Sequence, residues 1–332
     1  MKRIIISLMA IGLLLLFESA LADKPIKGVE GASEQAVKKA AVLWRQPSDI
    51  KTRNLLYGPG GQAGQPRAPF QFIEEDRDAS SPKFIVQDAR GVRWKVKLGE
   101  EARPETAASH LLWAVGYFAD VDYFLPRMRV AGLPKLRRGQ QYVTADGWVQ
   151  GARLERAAKK ADGWSWFDNP FIGTREFDGL RVMMALINKW DLKKINNAVY
   201  ETEGGERLYA VSDLGDTFGK TGSSWTRSKG NLEDYLESEF IDEVKPEAVD
   251  LVLNSRPPVL YAFAIPYYIE RTRMEKVAED IPRAHARWIG QWLARLSDRQ
   301  LSDAFRAAGY APREASAYAA KVRERISQLE RL

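Results

Sequence analysis

Four features in chain order carry side chains suited to one chemistry. Trp94-Lys95-Val96-Lys97 ends a strand-like run and places a lysine just ahead of a helix that Glu105 opens. Asp191 stands five positions before Asn196, past a helical stripe that ends at Ile187. Asp213-Leu214-Gly215 follows a second strand-like run, Leu208 to Ser212. Phosphoryl transfer uses this set: a strand lysine against nucleotide phosphates, a helix glutamate that pins it, an aspartate that receives or orients the acceptor's hydroxyl proton, and an asparagine and a second aspartate whose hard oxygens hold Mg²⁺ or Mn²⁺. Each feature alone is a common accident, and the weight lies in their order. Alternatives stay open at three points. Lys95 and Lys97 share a strand face, with Lys97 preferred by position. Glu100 and Glu101 compete with Glu105, and Asp216 with Asp213.

The elements needed to position these residues are legible in the pattern. Short apolar runs at Phe70 to Ile73, Lys83 to Asp88 and Val92 to Leu98 predict strands, the last two joined by Ala89-Arg90-Gly91 as a hairpin. Pro104 suits a helix start, and Ala108, Leu111, Leu112 and Val115 line one face until Gly116. Further strand is expected near Arg127 to Val130 and Gln141 to Val149. Phe177, Leu180, Met184 and Ile187 form a helical stripe, followed by two short strands, Ala198 to Glu201 and Leu208 to Ser212. From Leu232 onward the expectation is almost wholly helical, with stripes at Trp288, Trp292 and Leu296 and at Tyr318, Val322, Ile326 and Leu329. Glu34 to Trp44 also predicts a helix. The expected fold class is α+β with two lobes: residues 1–22 a leader, 23–65 an N-terminal extension, 66–160 a strand-rich N-lobe and 161–332 a helical C-lobe, hinged near Gly147 to Asp162.

The stretch from Ala79 to Gly215 resembles the atypical kinases of the HipA type, relatives of the phosphoinositide lipid kinases. Ser80-Ser81-Pro82-Lys83-Phe84 is similar to that family's phosphate-binding turn, Val96-Lys97-Leu98 to the segment with its nucleotide lysine, and Pro104-Glu105 with Leu111, Leu112 and Gly116 to its glutamate helix. Leu186-Ile187-Asn188, leading into Asp191 and Asn196, resembles the catalytic loop, and the metal-binding aspartate falls on Asp213. The resemblance implies a kinase-like fold that binds ATP with Mg²⁺ through Ser80, Ser81, Lys83, Lys97 and Glu105. Asp191 would be the base and Lys193 would neutralise the transferring group; Asn196 and Asp213 would be the metal ligands. The chain departs from the family in carrying Lys193 and Lys194 where a histidine is common. The acceptor is an unspecified hydroxyl. A non-catalytic pseudokinase-like module, or transfer of AMP, is the alternative.

Composition narrows the remaining classes. Lys2 and Arg3, the apolar run Ile4 to Phe17 and Ala20-Leu21-Ala22 form a signal-peptide pattern with cleavage after Ala22. The run is shorter than the roughly 20 residues of a membrane span, so the expected destination is the periplasm or the exterior, without a stable membrane anchor. The 332 residues contain no cysteine, which excludes disulfides and thiolate metal sites. Two histidines, His110 and His285, both in predicted helices, argue against a zinc enzyme. A net charge of +6 spread along the chain does not mark a nucleic-acid binder. A monomer is expected. Gly58 to Gly64 is expected to be a plain surface loop, and Trp164, Trp166, Phe167 and Phe171 part of the core.

Overall fold

A computed structural model describes residues 41–78, 81–220, 228–253 and 265–332, side chains at 265–268 and 271 excepted. The expected leader and residues 23–40 lie outside this part. Residues 40–332 form one unit. The described residues are mixed α+β, with seven α-helices.

Strand β1 (Ala41–Val42) precedes β2 (Phe70–Asp76), β3 (Lys83–Gln87), β4 (Arg93–Lys97), helix α1 (Ala102–Ala114), β5 (Phe118–Ala119), β6 (Asp122–Ala131) and β7 (Trp148–Arg156). Five of these strands close into a barrel in the order β2-β3-β4-β7-β6. Alternation builds its interior: Phe84 and Val86 of β3 and Trp94 and Val96 of β4 all face inward, each at most 1% exposed. The β3–β4 hairpin pairs Lys83 with Lys97 and Ile85 with Lys95, and β4 pairs with β7 so that Lys97 lies opposite Arg153 and Lys95 opposite Glu155. Closure is parallel, Phe70 of β2 against Val130 of β6. Helix α1 begins at Ala102, two residues before Pro104, and ends where Gly116 turns the chain at φ +98°. A Cβ at Gly116 would lie 2.2 Å from the Arg45 carbonyl, so only glycine fits there.

The chain continues through α2 (Arg175–Leu186), the hairpin β8 (Asn197–Glu201) and β9 (Arg207–Val211), α3 (Leu232–Glu237), β10 (Ile241–Val244), β11 (Ala248–Leu251), α4 (Ile265–Glu275), β12 (Ile281–Pro282), α5 (Arg283–Leu293), α6 (Asp298–Ala307) and α7 (Pro312–Glu330). Strand β9 pairs in parallel with β1 and β5 and antiparallel with β8. A second hydrophobic cluster, separate from the barrel's, gathers α1, α2 and the C-terminal helices, with Ile50 and Leu55 packed into it. Its stripes are those of the sequence: Phe177, Leu180, Met184 and Ile187, and Tyr318, Val322, Ile326 and Leu329, are all buried.

Four expectations change. The described part of the 34–44 range is not helical: Ala41–Val42 is strand and Trp44 bridges to Tyr117. Gln140–Tyr142 is a 3₁₀ turn rather than strand. The helical region after Leu232 contains the sheet β10-β11-β12. Most of the expected hinge, Trp148–Arg156, is β7, hydrogen-bonded on both sides within the barrel. Its alternation is masked because Ala152, Arg153, Leu154 and Glu155 are all buried in succession.

Candidate functional site

Lys97 ends β4 at the point where the chain turns into α1, and it is 3% exposed. Its ammonium meets three carboxylates: Glu105 Oε2 at 2.9 Å, Asp213 Oδ1 at 2.7 Å and Glu101 Oε2 at 2.7 Å. Lys95, half-buried, lines the same cleft outside this cluster, and Glu100 is exposed. Burial alone would lower the Lys97 ammonium, but Glu105, Asp213 and Glu101 outweigh it and hold the pKa above the ordinary lysine value. The carboxylates divide. Despite burial, Lys97 and Lys229 bring Glu101 down to about 2. Asp213 is likewise held low, by Lys97 and then Lys189. Glu105 goes the other way: its complete burial outweighs Arg153 and Lys97 and pushes it up to about 7.

The second half of the site is the loop between α2 and β8. Helix α2 ends at Leu186, and two residues on the buried Asn188, at φ +53°, redirects the chain. Lys189 and Asp216 then form a buried ion pair, and the same Asp216 carboxylate accepts the Asp191 backbone N–H at 2.8 Å. The Asp191 carboxylate faces Lys193 Nζ at 3.2 Å and Asn196 Nδ2 at 3.2 Å, while Nδ2 also donates to the Asp191 carbonyl at 2.9 Å. The β8–β9 hairpin does the rest. It sets Asn196 beside the far end of β9, where the Ser212 N–H donates to the Asn196 carbonyl at 3.0 Å and Asp213 follows at φ +46°. Asp213 therefore enters the Lys97 cluster, whereas Asp216 sits behind the loop, its carboxyl raised by burial against the pull of Lys189.

A cleft of about 170 Å³, open to solvent, joins the two halves; Lys83, Lys95, Lys97, Asn196 and Asp213 are among its lining residues. Asn196 uses its amide nitrogen on Asp191, so the side-chain oxygen is the atom it can offer a ligand. That oxygen and the ionised Asp213 carboxylate are hard donors, suited to a Mg²⁺ or Mn²⁺ ion that takes its other ligands from water and phosphate. Among the described residues no three His, Cys, Asp or Glu side chains form a metal cage. Ser81 donates to Glu101 Oε2 at 2.8 Å, and Lys83 is half-buried in the cleft. Ser80 lies outside the described residues. The structure thus brings Lys83, Lys97, Glu105, Asn196 and Asp213 to the cleft lining, while Ser81 joins them through Glu101, Asp191 through Asn196, and Lys193 through Asp191.

Sequence reasoning missed the network behind the site. Arg153 is buried and contacts Asp122 at 2.7 Å, Glu155 at 3.0 Å, Glu105 at 3.4 Å and Asp120 at 3.9 Å. Asp120 also accepts from Tyr200 and Ser212, both at 2.6 Å. The only hint in the sequence is Arg153 and Glu155 alternating with Ala152 and Leu154. The glycine loop is structural, since a Cβ on Gly58 would lie 2.2 Å from the His110 ring. Neither histidine lines the cleft: His110 Nδ1 meets the Leu55 carbonyl and His285 Nδ1 meets Asp178.

The chain matches no family model and no curated protein. Among solved structures it is similar to the Helicobacter pylori proinflammatory kinase CtkA, over 79% of this chain and 95% of that one, at 10% identity and a TM-score of 0.44.

Proposed function

We propose that this chain is a two-lobed, kinase-like protein of the HipA type that binds ATP with Mg²⁺ or Mn²⁺ in the Lys97 cleft and transfers a phosphoryl group to a hydroxyl acceptor. The observation that carries the proposal is the convergence of Lys97, Glu105 and Asp213 at one end of the cleft, with Asn196 and the Asp191 loop adjoining. A lysine paired with a helix glutamate, next to an aspartate and an asparagine, is the arrangement that phosphoryl transfer needs.

Lys97 would neutralise nucleotide phosphates, held in place by Glu105, with Lys83 and Ser81 at the phosphate end. Asn196 and Asp213 would hold the divalent ion, which supplies charge neutralisation on the phosphates. Asp191, its backbone fixed by Asp216, would orient the acceptor hydroxyl. As the acceptor oxygen bonds to phosphorus and the phosphorus–oxygen bond to the leaving diphosphate breaks, the hydroxyl proton passes to the Asp191 carboxylate. Lys193, 3.2 Å from that carboxylate, would face the transferring group.

Calorimetry with ATP and Mg²⁺, with and without EDTA, together with a transfer assay on Asp191→Asn, tests this reading. Binding should require the divalent ion. Asp191→Asn should lower transfer by about 10²–10⁴-fold with binding nearly unchanged, because a positioning base acts mainly in the transition state. Full transfer by Asp191→Asn would end the catalytic assignment; metal-dependent binding with no transfer by the native chain would mark a binding module.

The site would work in the periplasm or outside the cell, a reading carried by residues 1–22. The exported protein should begin at Asp23, and a mature chain that retains Met1 would contradict it.

A further inference from the structure

We infer that Lys97, Ser81 and Lys229 form a phosphate-binding site that the chain's own Glu101 carboxylate occupies. The three donors come from three separate places: the end of β4, the turn before β3, and the segment that follows the Asp-Leu-Gly turn. They converge on one side chain. Glu101 Oε2 takes the Lys97 ammonium at 2.7 Å and the Ser81 hydroxyl at 2.8 Å, and Oε1 takes the Lys229 ammonium. The floor beneath it is backbone, since a Cβ on Gly215 would lie 2.4 Å from Glu101 Cβ. Glu101 also precedes the first residue of α1, where the helix favours negative charge.

A carboxylate in that place is not needed to satisfy Lys97, which already has Glu105 and Asp213. Glu101 adds a third negative charge around one buried ammonium. Two ammoniums and a hydroxyl around an anion are the donors a phosphate group takes through its oxygens. Lys83, opposite Lys97 in the β3–β4 ladder and half-buried in the same cleft, adds positive charge beside them. An incoming phosphate would accept from the same three groups, and Glu101 would have to turn toward solvent. Glu101 is then an internal competitor that sets the affinity of the site, and Lys229 is a phosphate ligand that the motif pattern does not contain. The ligand's being a nucleotide rests on the function proposed above; the anion site itself does not.

The test is calorimetry with ATP plus Mg²⁺ and, separately, with inorganic pyrophosphate, on the native chain, Glu101→Gln, Glu101→Asp and Lys229→Gln, each checked by thermal melting. Glu101→Gln removes the competing charge and should bind both ligands about tenfold more tightly, the scale of one charge-assisted hydrogen bond. Glu101→Asp keeps the charge but withdraws it by one methylene, and should move affinity the same way by less. Lys229→Gln should bind about tenfold more weakly. Unchanged or weaker binding of both ligands by folded Glu101→Gln and Glu101→Asp would overturn the inference and leave Glu101 a structural brace. Tighter pyrophosphate binding without any ATP binding would support the anion site and refute the nucleotide reading alone.

Discussion

Lys97 and Arg325 are both buried cations, and they are held in opposite ways. Lys97 is surrounded by three carboxylates, at the edge of a cleft open to solvent. Arg325, on α7, is fully buried and has no ion-pair partner among the described residues. Its guanidinium donates to the Leu186 carbonyl at 2.7 Å, Asn188 Oδ1 at 2.8 Å and the Ser238 hydroxyl at 2.7 Å, with the Ala185, Ser238 and Glu239 carbonyls slightly farther away. It stacks over Tyr235 at 4.5 Å. Its position caps the carbonyl end of α2 and supports, from behind, the start of the loop that carries Asp191. Backbone carbonyls can neither take up a proton nor leave. Carboxylates can do both, and the Asp213 side chain, 46% exposed, has somewhere to go. The carbonyl cage around Arg325 locks a structure, while the carboxylates around Lys97 suit exchange of partners with an anionic ligand.

The largest effect should come from breaking the locked cation. Arg325→Met leaves several buried carbonyls without a donor, at about 1–3 kcal/mol each before relaxation. The expected loss is on the order of 3 kcal/mol in unfolding free energy, read by denaturant titration, with nucleotide affinity of the folded fraction little changed. A stability loss under about 1 kcal/mol would mean that water replaces the guanidinium and that the two regions differ less than their contacts indicate.

At the exchangeable cation the order of effects reverses. Lys97→Met should weaken ATP binding by about 100-fold, the scale of a lost charge-assisted contact to phosphate, and should cost less stability than Arg325→Met because Glu105 can keep its proton. Lys95→Met, outside the carboxylate cluster, should cost only about threefold in affinity, as expected of a more solvated charge. Equal losses at the two lysines would remove the distinction drawn from the Lys97 contacts.

The smallest signal is the pH profile. Glu105 titrates at about 7 in the folded chain against 4.5 ordinarily. Between those values the folded state holds a proton that the unfolded state has released, so this group's contribution falls as pH rises from 4.5 to 7. Glu101 and Asp213 are shifted down, and their contribution is present above the ordinary carboxylate range and lost as pH falls toward about 2. Thermal melts of Glu105→Gln should lose the slope between pH 4.5 and 7 and retain the acid limb. An unchanged slope in that window would assign it to another group, such as the buried Asp120 or Asp216, both of them also raised by burial.

What the sequence determined by itself was local. Alternation marked the β3–β4 hairpin, the 3.6-residue period marked α1, α2 and α7, and the spacing of Asp191 and Asn196 placed both on one loop beside a strand pair. It also put the reactive residue types in order along the chain, because order and spacing survive without coordinates. Tertiary structure decided everything that depended on depth and on partners distant in sequence. Period two cannot separate Lys95 from Lys97, since both point to one side of the strand; the approach of α1 to the end of β4 selects Lys97. No pattern separates Asp213 from Asp216 either; the left-handed turn at Asp213 sends the first toward Lys97, and Lys189 takes the second. Glu101 and Glu105 both reach the lysine, which a choice of one partner does not anticipate. Arg153 left only its alternation with Ala152 and Leu154, and Lys229 and Arg325 left no signal, because a basic residue in a strand, loop or helix looks solvated until the elements around it close, and only the closed fold supplies the acceptors that make burying its charge possible.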